Sequence, residues 1–280
     1  MTNYTVNTLE LGEFITESGE TIDHLRLRYE HVGLPGQPLV VVCHALTGNH
    51  LTYGTDAQPG WWREIIDGGY IPVHDYQFLT FNVIGSPFGS SSKLNDDNFP
   101  EHLTLRDIVR AIELGIQALE FKKINILIGG SLGGMQAMEL LYNRQFEVEK
   151  AIILAATDKT SSYSRAFNEI ARQAIHIGGK EGLSIARQLG FLTYRSSKSY
   201  DQRFTPDEVV SYQQHQGDKF KEYFDLNCYL TLLDVLDSHH LDRGRDDVDE
   251  VFQSLETKVL TMGFICLLYT SDAADEEDSV

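Results

Sequence analysis

Cysteine is scarce in this 280-residue chain. Cys43, Cys228 and Cys266 are too few and too scattered for a disulfide framework or a cysteine-based zinc site. Long apolar runs are missing too: no stretch approaches the ~20 residues that a membrane-spanning helix needs. The opening segment MTNYTVNTLELGEF has neither a basic stretch nor an apolar centre, so no secretory signal is visible and a cytoplasmic chain is expected. Basic residues number 23 against 41 acidic ones, a net charge of −18. That balance argues against nucleic acid and anionic membranes as partners. A small anion is still compatible with it, because a few arginines or a helix N-terminus can hold one locally. There is no internal repeat, which excludes a solenoid.

What is present reads as alternating strands and helices. LRLRYEHVG (25–33) alternates apolar and polar residues, as an antiparallel strand does. QPLVVVCHALTG (37–48) opens with a β-branched run suited to a strand buried on both faces, and YQFLTFNVIGS (76–86), INILIGG (124–130) and KAIILAAT (150–157) repeat it. Between them, TLRDIVRAIELGIQAL (104–119) places Leu105, Ile108, Val109, Ile112 and Ile116 on a helical period. Strand–helix alternation predicts an α/β fold with a mostly parallel sheet. From Asp158 to Arg245 no buried strand is visible, and helices are expected over 164–175, 179–192, 205–220 and 227–239. ETKVLTMGF (256–264) is strand-like again. The expected organisation is a core over 1–157, a helical lid over 158–245 and a return to the core over 246–265.

Gly129-Gly130-Ser131-Leu132-Gly133 fits G-x-S-x-G, in which a serine sits on a sharp turn between a strand and a helix. The buried strand before it and the helical pattern after it supply that context. Ser131 is therefore the candidate nucleophile, and the Leu132 amide at the helix N-terminus a candidate oxyanion donor. A second donor is expected from the loop after an earlier strand, where HALTG (44–48) offers the amide of Leu46. His44 and Thr47 could equally serve only to satisfy local backbone groups. A dinucleotide loop fits less well, because Ser131 stands where G-x-G-x-x-G needs its second glycine.

Six stretches, HALTGNH, NVIGSPFGSSS, GGSLGGMQAMEL, RAFNEIARQAI, GLSIARQLGFLTYRS and FDLNCYLTLLDVLDSHHLDRGR, together resemble the homoserine O-acetyltransferase family of the α/β-hydrolase superfamily, from near the N-terminus to about Phe264. The resemblance implies an α/β-hydrolase fold with an inserted helical lid. It implies transfer of an acetyl group from acetyl-CoA to the hydroxyl of L-homoserine through an acyl-Ser131 intermediate, on the way to methionine. Leu46 and Leu132 would supply the oxyanion amides, and Arg187 would grip the substrate carboxylate, with Arg172 as the competing arginine. No metal and no permanently bound cofactor are implied, and the lid helices would pair two subunits into a homodimer.

The family's acid and histidine follow a strand that TKVLTMGFI (257–265) resembles. CLLYTSDAADE (266–276) instead resembles the translation of a sequencing adapter, so the expectation is a chain whose natural sequence stops near Ile265, lacks the C-terminal part of the core and is inactive. Asp272 and Asp275 fall inside that suspected non-native tail (266–280). His44 precedes Ser131, and His176, His215, His239 and His240 all precede the strand that should carry the acid, the wrong order for this fold. No triad acid or histidine is assigned. The alternatives are a serine esterase or thioesterase of the same fold and a non-catalytic binding module; acetyl against succinyl as the donated group stays open.

Overall fold

The computed structural model describes residues 3–264; the tail from Ile265 onward, with Cys266, Asp272 and Asp275, lies outside the described residues. Nine strands occur among them: β1 (Asn3–Glu10), β2 (Phe14–Ile15), β3 (Thr21–Ile22), β4 (Arg26–Gly33), β5 (Leu39–Cys43), β6 (Gln77–Phe81), β7 (Lys123–Gly130), β8 (Glu147–Leu154) and β9 (Lys258–Met262). Seven form one sheet in the order β1-β4-β6-β5-β7-β8-β9. Neighbours from β6 to β9 pair in parallel, and β4 runs antiparallel to both β1 and β6. This is the mostly parallel sheet of an α/β-hydrolase fold.

Three helices belong to the core: α1 (Arg63–Asp67), α2 (Leu105–Ala118) and α3 (Leu132–Asn143). α2 begins at a reciprocal cap, in which Thr104 accepts from the Asp107 amide and Asp107 accepts from the Thr104 amide. Its apolar stripe, from Leu105 through Ile116, is buried as the period predicts. One sheet face packs Leu27, Val41, Leu79 and Leu127 against α2 and α3. The other packs Val40, Val42, Phe78 and Ile128 under Trp62, Ile66 and Tyr53, from α1 and the residues before it.

Between β8 and β9 lie α4 (Ser162–Gly178), α5 (Lys180–Thr193), α6 (Ser197–Arg203), α7 (Pro206–Tyr223), α8 (Leu226–Ser238) and α9 (Val248–Gln253). Four match the expected helices. α6 and α9 are extra; neither has a buried residue, so neither carries the apolar stripe that would reveal it. α7 starts at Thr205 with Pro206 in its first turn, as the dipeptide predicts. The insertion leaves and returns at one place. Lys159 bridges to His240, the Leu241 amide donates to the Asp158 carbonyl (2.8 Å), and the Thr160 amide donates to the His239 carbonyl (3.0 Å). Arg245 then pairs with the buried Glu139 of α3 (2.8 Å), and Arg243 with Glu17 (2.7 Å).

Five strands differ from expectation; the two-residue β2 and β3, which pair only with each other, are too short to show a pattern. β1 was not visible in the sequence because it is a mostly exposed edge strand with little apolar alternation. β6 ends at Phe81 rather than running on through Val83, whose amide leaves the ladder to donate to His44 Nε2 (3.1 Å). β8 begins three residues early, at Glu147.

Candidate active site

The strand order places the site. From β5 the chain steps to β6 on one side, then crosses to β7 on the other. Segments leaving the carboxyl ends of β5 and β7 diverge, and the crevice between them is where open α/β sheets take ligands. Leu46 follows β5 and Ser131 follows β7, so the sequence motifs and the topology select the same spot.

Ser131 has φ 54° and ψ −124°, a conformation that costs an L-residue about 1–3 kcal/mol. Its amide donates to the Leu154 carbonyl (2.9 Å), and its carbonyl accepts from the Met135 amide (3.1 Å), which fastens the turn to β8 and to α3. The flanking glycines are sterically required. A methyl group on Gly129 would collide with the Gly133 carbonyl, and one on Gly133 with the Cys43 carbonyl. The strain lifts the hydroxyl clear of the sheet. Neither that hydroxyl nor the amides of Leu132 and Leu46 has a hydrogen-bond partner among the described residues.

The loop that carries Leu46 is held by buried atoms. His44 is wholly buried; its Nε2 accepts from the Val83 amide, so Nδ1 carries the hydrogen and donates to the Ala45 carbonyl (2.8 Å). Burial pushes its pKa down to about 4, with the Ala45 bond opposing, and the ring is neutral. The Gly48 amide closes a turn on the same Ala45 carbonyl (2.9 Å). Gln136, fully buried on α3, donates to the His44 carbonyl (3.1 Å). The serine's own helix therefore grips the opposite loop. His44 is a brace, the local role that was one of its two readings.

The insertion roofs this floor. A pocket beside Ser131 and Leu46 is walled by Phe167 of α4, Leu189 of α5, Tyr194, and Tyr229 and Leu233 of α8. The two candidate arginines part company here. Arg172 is committed: Glu169 (2.7 Å), Asp234 (2.8 Å) and Asp237 (2.9 Å) surround it. Burial works against its charge, but those three carboxylates outweigh it and raise its pKa further. Arg187 of α5 has no carboxylate within ion-pair distance among the described residues. Its guanidinium lies over the rings of Phe191 (4.5 Å) and Phe220 (4.8 Å) and donates to Thr47 Oγ1 (3.3 Å), one residue beyond Leu46.

No histidine lines that pocket among the described residues. His239 is buried at the neck of the insertion, where its Nε2 donates to the Thr157 carbonyl (2.8 Å) and burial lowers its pKa. His50 accepts from Arg28 Nε (3.3 Å) and is lowered to about 4 by burial and by that arginine. His176, His215 and His240 are exposed. No group of His, Cys, Asp and Glu able to hold a metal occurs among the described residues. Sequence reasoning missed Gln136; its one signal was a polar residue among the mostly apolar positions directly after the elbow, a signal shared with the buried Glu139.

Residues 38–177 match the family model for the alpha/beta hydrolase fold. The chain superposes on the crystal structure of homoserine O-acetyltransferase from Staphylococcus aureus with a TM-score of 0.94 and 85% identity, covering 96% of this chain and 83% of that one. The homoserine O-acetyltransferase of Moorella thermoacetica is 30% identical over 88% of this chain and 78% of its own length. That of Methanococcus vannielii is 32% identical over 95% of this chain and 63% of its own length.

Proposed function

Because the chain belongs to the homoserine O-acetyltransferase family of the α/β-hydrolase superfamily, we propose that it moves an acetyl group from acetyl-CoA to the side-chain hydroxyl of L-homoserine, a step towards methionine. The observation that carries this reading is Arg187, a half-buried guanidinium with no carboxylate of its own among the described residues, beside the loop that faces a strained serine. A planar fork of N–H donors in that place suits an amino-acid carboxylate.

In this reading the Ser131 hydroxyl oxygen adds to the thioester carbonyl carbon and its proton passes to a general base. The Leu46 and Leu132 amides take the oxyanion, already aimed and free of other partners. The carbon–sulfur bond breaks, CoA leaves as the thiol with that proton, and Ser131 is left as an acetyl ester. The homoserine hydroxyl, positioned through its carboxylate on Arg187, then adds to that ester carbonyl. Its proton is taken by the base, and Ser131 recovers a proton as O-acetylhomoserine leaves. The roof of α4, α5 and α8 favours transfer over hydrolysis by limiting water at the acyl-enzyme. No cofactor is retained between turnovers.

The reading extends to the assembly. Tyr163, Ile170 and Ile177 of α4, Ile185 and Leu192 of α5 and Val210 of α7 are all exposed. This much apolar surface on one inserted segment favours a homodimer through these helices. The free buried thiols of Cys43 and Cys228 suit a reducing, cytoplasmic compartment. Among the described residues no helix is long and apolar enough to cross a membrane.

The test is homoserine-dependent consumption of acetyl-CoA, measured on this chain and on a version extended past Ile265 with the corresponding segment of the Staphylococcus aureus neighbour. O-acetylhomoserine from the extended chain, with an acetyl adduct on the Ser131 peptide, is the expected result. Hydrolysis of acetyl esters with no transfer to homoserine would replace this reading with an esterase.

A further inference from the structure

Tyr229 of α8 is a wall of the Ser131 pocket whose chemistry the mechanism above leaves unused. The residue is 5% exposed, yet its hydroxyl has no hydrogen-bond partner among the described residues. The hydroxyl is not sealed in the core: it keeps accessible surface, and the residue lines the Ser131 pocket, so the oxygen is available to a bound molecule. Packing does not explain it. The ring is set by Phe220 (5.7 Å) and Phe224 (5.9 Å), both edge to face, and phenylalanine would fill the same space. Phe220 also carries the Arg187 guanidinium on its face (4.8 Å), so one aromatic ring fixes both side chains. The two groups that act electrostatically on the hydroxyl are Tyr194, another wall of the pocket, and Arg187.

We propose that the Tyr229 hydroxyl is a substrate-recognition group, donating a hydrogen bond to the carboxylate that Arg187 holds. The proposal rests on the homoserine reading and deepens it. A carboxylate is the acceptor that this corner favours, because the positive charge of Arg187 repels an ammonium group and attracts an anion. A neutral phenol beside a guanidinium offers further N–H and O–H donors without adding charge, so a carboxylate would leave solvent for a nearly complete donor set. Substrates lacking the carboxylate would leave both donors unpaired in a closed pocket, which is how a site rejects a simple alcohol.

Binding measurements suit the chain as it is, because recognition of the carboxylate does not require turnover. Homoserine affinity is measured by calorimetry for the chain and for Tyr229→Phe. The aminopropanol that remains when homoserine loses its carboxylate is compared on both proteins by saturation-transfer NMR. Tyr229→Phe should weaken homoserine about tenfold or more and leave the decarboxylated analogue unchanged. Its melting temperature should stay close to that of the parent, because the ring contacts with Phe220 and Phe224 are kept, which separates lost recognition from lost packing. Equal homoserine affinity in parent and variant overturns the proposal while leaving the homoserine reading standing. An equal loss for the analogue overturns it as well, since the hydroxyl would then serve the amine or the alcohol. A parent chain that binds no homoserine overturns both the reading and the proposal that rests on it.

Discussion

The floor of the pocket and its roof are built by different means. In the floor, the elbow at Ser131 and the loop at Leu46 are held by buried backbone bonds, by two glycines with no room for a methyl group, and by the neutral ring of His44. Nothing there can shift without breaking several contacts at once. In the roof, α4 is tied to α8 by Arg172 among three carboxylates, α5 to α7 by Arg187 on the Phe220 ring, and the neck to α3 by Arg245 on Glu139. Such contacts permit small displacements. The lesson is a division of labour, with bond-making fixed in the sheet and discrimination assigned to the insertion.

That contrast can be broken most severely at its centre. Ser131→Ala, made in the extended chain, should lower acetyl transfer by about 10⁴-fold or more while the melting temperature holds; activity within tenfold of the parent would remove Ser131 as nucleophile. Next in size is the roof. Arg187→Lys should raise the homoserine KM by about 10–100-fold, because lysine keeps the charge and loses the two-pronged geometry. The acetyl-CoA KM should barely move. Arg172→Lys should do the converse, lowering stability with little change in either KM, and equal kinetic effects of the two changes would erase the distinction between them. A smaller effect is expected at the join. Gln136→Met keeps the volume but drops the bond to the His44 carbonyl, and kcat should fall about tenfold with KM unchanged, since a neutral bond of about 1 kcal/mol is lost and the Leu46 amide drifts.

An effect on stability alone, with none on the pocket, sharpens the comparison from outside. Glu113 of α2 is 7% exposed, and burial raises its pKa to about 7, against the opposing bond from Asn143 (2.9 Å). The native state keeps this proton up to about pH 7, while the unfolded chain releases it near 4.5. Stability from this group is therefore complete below about pH 4.5 and falls as pH rises towards 7. Glu113→Gln should add about 1–3 kcal/mol at pH 8 and nothing at pH 4, read as denaturation midpoints at the two values. A gain of the same size at both would mean that the carboxyl is not titrating.

Much of this was legible in the sequence, and for identifiable reasons. The elbow could be read because glycine, serine and glycine at fixed spacing have a steric cause, and the backbone angles of Ser131 carry it. The parallel strands could be read because burial on both faces demands runs such as Leu39–Cys43. Arg172 and Arg187 could not be separated by composition, since both lie on helices rich in similar residues; only the positions of Asp234 and Asp237, one helix turn apart on α8, decide between them. Gln136 was hidden because its partner, the His44 carbonyl, lies far off in sequence and belongs to the backbone, which leaves no pattern in side chains.

The neck of the insertion has an evolutionary consequence. Lys159 and His240 bridge directly, so the polypeptide returns almost to its point of departure. A segment spliced between such neighbours can change in length at little cost, because closing a longer loop is penalised only by about 0.6 kcal/mol per doubling. Its inner surface does contribute to the core through residues such as Leu232 and Val235 of α8, so it can be exchanged more readily than deleted. The helices between Thr160 and His239 therefore constitute an interchangeable cassette: a lineage, or an experimenter, could install a differently shaped vestibule above an unaltered hearth and recruit the same serine to a new acceptor alcohol.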